Sequence, residues 1–197
     1  MAYKTLITID ELRPSLKEPN LAVMDCRFYL TAPGQGYQEY LQGHIPGAIY
    51  LNLDKDLSGE IIPGKTGRHP LPEPDKFAER LSGWGIDNST QVIGYDNMGG
   101  ALAARLWWML RWLGHDQVAV LDGGWDAWVK GDFPQDKSIP APEKKKFIPN
   151  EQPDMIADIQ LVEEARQDPD YLLVDARSAE RFWGLKETID FKAGHIP

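Results

Sequence analysis

"QGHIPGA" at residues 42–48 returns almost unchanged as "AGHIP" at 193–197, and the letters upstream of the two copies also match. Placing "LKEPNLAVMDCR" (16–27) over "RQDPDYLLVDAR" (166–177), a shift of 150, puts Pro19 on Pro169, Asp25 on Asp175 and Arg27 on Arg177. The apolar triplet Ala22-Val23-Met24 falls on Leu172-Leu173-Val174. At the same shift Thr8 meets Asp158, and both residue types cap the start of a helix. Thr8 with Glu11 has the spacing of a capping box. One inserted residue then brings Gly43-His44-Ile45-Pro46 onto Gly194-His195-Ile196-Pro197. Apolar runs resemble each other by accident. A cap, a Pro-polar turn, Asp-x-Arg and GHIP in one order do not, so the chain carries an internal duplication.

The first copy reads as alternating elements. A short helix near 9–17 leads to the strand "LAVMD" (21–25), then to the GHIP loop and a brief strand "AIYL" (48–51). "DKFAERLSGWGI" (75–86) has helical periodicity and a stop around Gly85. The buried strand "QVIGY" (91–95), the turn "DNMGG" (96–100) and the apolar helix "ALAARLWWMLRWLG" (101–114) follow, with Trp107, Trp108 and Trp112 expected in the core. "VAVL" (118–121) is a further strand and "WDAWVKG" (125–131) a last helix. Short strands alternating with helices predict an α/β fold, a mostly parallel sheet covered on both faces. Five prolines and the run Lys144-Lys145-Lys146 mark 134–154 as an extended, solvated linker between a first domain at 1–133 and the start of a second at 155–197.

Composition narrows the function classes. With 42% hydrophobic residues and seven Trp in 197, the chain forms a core, and a net charge of −9 gives no general attraction to nucleic acid or anionic membrane. The only cysteine, Cys26, precludes an intrachain disulfide and a cysteine-built zinc site. "MAYKTLITID" has no apolar signal region and no apolar run approaches a membrane span, so a cytoplasmic location is expected.

Asp25-Cys26-Arg27, GHIPGA, "RLWWMLRWLGH" (105–115) and "VLDGGWDAW" (120–128) together resemble the rhodanese family, in particular its two-domain sulfurtransferases acting on thiosulfate or 3-mercaptopyruvate. Asp175-Ala176-Arg177, then Arg181-Phe182-x-Gly184 and the second GHIP, are similar to the opening of that family's catalytic C-terminal domain. The resemblance implies a rhodanese-like parallel five-stranded sheet flanked by helices, followed by the beginning of a second such domain. It also implies chemistry without cofactor or metal: a cysteine thiolate takes sulfur from a small anionic donor as a persulfide, and a thiol or cyanide acceptor removes it. In this family the nucleophile opens the turn after the central strand. Asp96-Asn97 stands there in the first copy. The equivalent turn of the second copy is expected roughly 50 residues past Pro197, which makes this chain a fragment inactive by itself.

The resemblance assigns Arg181 to the donor's anionic head, since a guanidinium offers a planar fork of donors to an oxyanion. Many mercaptopyruvate-type members of that family carry a second arginine in a Pro-Glu-Pro-Arg run shortly after this one; here "GLKETID" (184–190) stands instead with Lys186 as the only nearby cation, which counts against a mercaptopyruvate preference. Arg68 in "GRHP" (67–70) is a further candidate for drawing in anions. Asp25/Arg27 and Asp175/Arg177 are expected to tie strand ends to the GHIP loops, with His44 and His195 fixing those loops. Cys26, at the end of a strand and replaced by Ala176 in the repeat, is read as a buried small hydrophobe rather than a nucleophile. Apolar surface on the unfinished second unit is expected to favour self-association. The competing functional expectation is a catalytically silent rhodanese-like binding or structural module. A phosphatase relative needs a longer loop with cysteine and arginine, which "DNMGGAL" (96–102) lacks.

Overall fold

Leu21–Asp25 is buried on both sides from Ala22 onward, the condition under which a strand reads as an unbroken apolar run. The computed structural model describes residues 2–196 and places this strand, β2, inside a five-stranded sheet. The other strands are β1 (Leu6–Ile7), β3 (Ile49–Tyr50), β4 (Gln91–Tyr95) and β5 (Val118–Leu121), in the order β1-β5-β4-β2-β3. Every pairing is parallel, and the register sets Asp25 opposite Tyr95 and Tyr50. Parallel neighbours require crossovers. These carry α1 (Ile9–Ser15), α2 (Gln35–Gln42), α3 (Pro74–Gly83) and α4 (Ala103–Trp112), with α5 (Gly124–Lys130) after β5.

The expected strands and the helices α1, α3, α4 and α5 are present within a few residues of their sequence-based limits. β1 and α2 were not anticipated. A two-residue strand leaves no period to read. α2 starts from Gly34 without a side-chain cap and contains Gly36, whose missing Cβ would lie 2.0 Å from the Arg27 carbonyl oxygen. The tryptophan expectation needs correction. Only Trp112 is buried, because α4 turns Ala103, Leu106, Met109 and Leu110 inward. Trp107 is half-exposed, donates from Nε1 to the Lys4 carbonyl at 2.8 Å and lies under the Arg111 guanidinium.

The proline-rich stretch is extended, yet it is held to the first unit. His44 and Asp136 exchange both backbone hydrogen bonds, Phe147 is buried, and the Asn150 and Gln152 N–H groups donate to Leu113 and Trp112 carbonyls. Of the lysine run, Lys144 and Lys146 are exposed as expected, while Lys145 is part-buried with its Nζ 3.6 Å from Asp87. The chain divides into two compact units between Pro153 and Asp154. The second contains a 3-10 turn (Pro153–Met155 at its border), α6 (Ile159–Ala165) and α7 (Ala179–Phe182). Residues 171–176 form neither helix nor strand there and have no ladder partner among the described residues. Among the described residues no helix is long and apolar enough to cross a membrane.

Candidate functional site

The carboxyl ends of β2, β4 and β5 converge in the first unit, where open α/β sheets present their chemistry. β4 ends at Tyr95, and the next residue, Asp96, turns its carboxylate into the loop that starts α4. Asp96 Oδ1 accepts the N–H groups of Met98 and Gly100, both at 2.8 Å. Oδ2 accepts those of Leu102 at 2.7 Å and Ala103 at 2.8 Å. Four backbone dipoles at a helix start thus close around one buried anion, the arrangement that stabilises negative charge. Gly124 packs against the back of the turn, where a Cβ would come within 2.3 Å of the Asp96 carbonyl oxygen and φ is +54°.

Beneath this loop Asp25, Arg27 and Tyr95 form a buried polar knot. Arg27 meets Asp25 through Nε, at 3.0 Å to each carboxylate oxygen, and through a second nitrogen at 2.6 Å, and it also donates to the Gly43 carbonyl at 2.8 Å. Tyr95 Oη donates to Asp25 Oδ2 at 2.7 Å and accepts the Ile45 N–H at 3.2 Å. Trp125 covers the guanidinium, 4.3 Å from its ring centroid. The Asp-x-Arg pair therefore fastens the strand end to the GHIP loop. His44 stacks on Tyr40 at 4.0 Å between centroids, with Nδ1 2.8 Å from the Tyr40 carbonyl and Nε2 3.1 Å from the Ser138 carbonyl. Cys26 is buried, its N–H donates to the Tyr95 carbonyl, and burial first, then Asp25, Asp96 and Asp56, pushes its thiol well above the ordinary value. A protonated thiol without solvent access is no nucleophile.

A rhodanese-like domain model matches residues 8–131. The chain belongs to the rhodanese family. It is similar to the probable 3-mercaptopyruvate sulfurtransferase of Pseudomonas aeruginosa, with 40% identity over 198 residues, 100% of this chain and 70% of the relative. The mitochondrial thiosulfate/3-mercaptopyruvate sulfurtransferase 1 of Arabidopsis thaliana is 33% identical over 98% of this chain and 56% of its own length. Among solved structures, SseA from Escherichia coli, described as a 3-mercaptopyruvate sulfotransferase, superposes with a TM-score of 0.85 at 30% identity, over 99% of this chain and 73% of that one.

The second unit of this rhodanese chain repeats the knot on exposed ground. Arg177 meets Asp175 at 3.0 and 2.6 Å and reaches the Gly194 carbonyl at 2.7 Å, while His195 stacks on Phe182 at 3.8 Å. Its stacking ring comes 13 residues before the histidine, against four in the first unit, so the copies differ by more than the single insertion read from sequence. Arg181 is held by Glu187 at 3.0 Å and by Asp190 at 2.5 Å. Glu187 is held down to about 2 by the Asp190 and Ile189 N–H groups, with Arg181 adding to the effect. Lys186 is exposed in the same unit, and Arg68 is exposed in the first. Sequence reading missed Tyr95 and Trp125, whose partners lie tens of residues away. It also missed Arg105, a largely buried cation on the Leu57, His69 and Pro70 carbonyls, and His69, 2.9 Å from Asp54.

Proposed function

We propose that the chain is part of a sulfurtransferase moving a sulfane sulfur from thiosulfate or 3-mercaptopyruvate to cyanide or a thiol through a cysteine persulfide. Family membership and the activities named for its relatives support the reaction. One observation carries the division of roles: the Asp96 carboxylate saturates the N–H groups of the strand-to-helix turn. A thiol in such a cradle would have a lowered pKa and its persulfide would be stabilised. A thiolate attacking thiosulfate forms one S–S bond and breaks another, and sulfite leaves with the electron pair. Cyanide carbon then takes the outer sulfur and the thiolate departs. Splitting the transfer in two replaces one difficult step by two easier ones. Carboxylate oxygen can do neither, so the first unit is the non-transferring copy and the nucleophile comes from sequence outside residues 1–197.

In the second unit Arg181, with Lys186 nearby, is the cation proposed for the donor's anionic head, and Arg68 in the first unit is proposed only to help draw in anions, in a cytoplasmic protein. At Arg181 the donor has to displace Asp190 or Glu187, which charge-assisted bonding to a sulfonate or carboxylate makes feasible. The internal saturation of the Asp96 turn favours one second reading, a silent rhodanese-like binding or structural module. A thiosulfate:cyanide assay on residues 1–197 and on the natural polypeptide containing them separates the two. Thiocyanate is expected from the longer protein and none above background from the shorter. Product from the 197-residue chain would return the chemistry to Cys26, and product from neither would leave the silent module.

A further inference from the structure

Between β3 and α3 the chain of the first unit runs out as a loop whose two feet, at 57–59 and 69–72, meet. Gly59 donates its N–H to the Pro70 carbonyl at 2.9 Å, and a Cβ on Gly59 would come within 2.6 Å of the Leu71 carbonyl oxygen. Compact surface loops with joined ends frequently carry function. Arg105, in the first turn of α4, holds both feet with one side chain. Its Nε donates to the Leu57 carbonyl at 2.9 Å, and a terminal nitrogen donates to the His69 and Pro70 carbonyls at 3.1 and 3.2 Å. Arg80 on α3 braces the entry foot only, donating to the Asp56 and Ser58 carbonyls at 2.8 and 3.2 Å. Arg27 is buried against a carboxylate, but burial alone acts on Arg105 and holds its pKa below the ordinary value. A guanidinium taken from water without a carboxylate is costly, and only the carbonyl dipoles offset that cost. Above the feet the tip is built on itself: Ile62 N–H donates to Thr66 Oγ1 at 2.9 Å, and the Lys65 and Thr66 N–H groups donate to the Ile62 carbonyl at 3.0 Å. Such a tip takes its direction from its feet, and Arg68 stands one residue before the exit foot.

We propose that Arg105 is a positioning residue: by clamping the loop at both feet it aims Arg68, and so sets how well an anionic sulfur donor is drawn in, without touching the donor. The inference rests on the sulfurtransferase reading. A guanidinium suits the task because its planar fork reaches oxygens on two chain segments in fixed directions, whereas a lysine ammonium is a point donor on a flexible stem. Attraction by an exposed cation acts on capture rather than on the bond-making step, so its signature belongs in KM.

The test measures thiocyanate formation from thiosulfate and cyanide by the natural polypeptide containing residues 1–197. Arg105→Lys is expected to raise the thiosulfate KM about threefold or more with kcat little changed. Gly59→Ala spreads the feet from the loop side and leaves α4 untouched, so it is expected to do the same and serves if Arg105→Lys does not fold. Arg68→Gln is expected to raise KM too, and adding Arg105→Lys to it to give no further rise, because the two act in series. At about 1 M salt, where exposed charge is screened, the KM of Arg105→Lys should converge on that of the unsubstituted protein. A merely structural role would neither follow salt nor vanish beside Arg68→Gln. An unchanged KM, a fall in kcat without a rise in KM, or an Arg105→Lys effect that persists in high salt or beside Arg68→Gln would overturn the proposal and leave sulfur transfer standing. No thiocyanate from the unsubstituted polypeptide would sink the sulfurtransferase reading and this inference with it.

Discussion

Tyr95 serves two elements at once, because its one hydroxyl both donates to a carboxylate on β2 and accepts from the GHIP loop. Tyr95→Phe removes both bonds and leaves the buried Asp25 oxygen with Arg27 alone. The expected cost is about 1–3 kcal/mol, read as a lower urea midpoint at unchanged m-value. Asp96→Asn keeps the size of the side chain but aims an amide donor at two N–H groups that need an acceptor. It is expected to cost about 2–4 kcal/mol by the same measurement, more than a surface substitution could. Cys26 should react with iodoacetamide at the global unfolding rate in native buffer and at once in denaturant; rapid native labelling would put an open thiol where the structure has a sealed one.

At the scale of elements, legibility follows how local the cause is. The Thr8 cap was readable because its partners are three residues away: Thr8 Oγ1 accepts the Glu11 N–H and Glu11 returns to the Thr8 N–H at 2.9 Å. Thr8→Ala is expected to lower stability by about 1 kcal/mol in chemical denaturation. Asp158 repeats the cap on α6, accepting the Leu161 N–H at 2.8 Å. By contrast, α2 owes its place to Arg27 and Tyr50 packing on Gly36, which no window of eight residues contains. The proline stretch shows the same limit. Composition predicted its extended shape, while its docking needed Ser82, Leu113 and Trp112, which are distant in sequence.

Across the whole molecule, titration should bound stability on both sides of neutrality. Hydrogen bonds centred on Ser89 hold Asp87, and those from Ser138 hold Asp136, near 2; in the second unit Arg177 holds Asp175 near 2, and backbone N–H groups hold Glu187 there. Native values depressed below unfolded ones stabilise above about pH 4, and that stability is lost as pH falls toward about 2. On the alkaline side burial lifts Cys26 well above its ordinary value and lifts Tyr40 and Tyr50 to about 12. Raised values stabilise below the unfolded pKa, so stability should decline from about pH 8.5 as unfolded thiol ionises, and further between about 10 and 12. Urea midpoints over that range should show the two limbs, and Cys26→Ala should delay the alkaline one. Hydrogen exchange should separate the units: amides 22–26, inside the sheet, protected, and 172–176 exchanging near the unprotected rate.

The duplication, the alternating α/β pattern, the family and the absence of a sulfur nucleophile at the Asp96 turn were all determined by sequence alone. Each is carried by residue identity and spacing along the chain, where periodicity, caps and repeated motifs act over a few residues. Tertiary structure alone decided that Tyr95 and Trp125 complete the Asp25–Arg27 knot, that the proline stretch is docked, that Arg181 is already paired with two carboxylates, and that the same knot lies open in the second unit. Those outcomes depend on which strand becomes whose neighbour. Burial, and the hydrogen bonds it makes obligatory, are properties of that three-dimensional neighbourhood rather than of any segment.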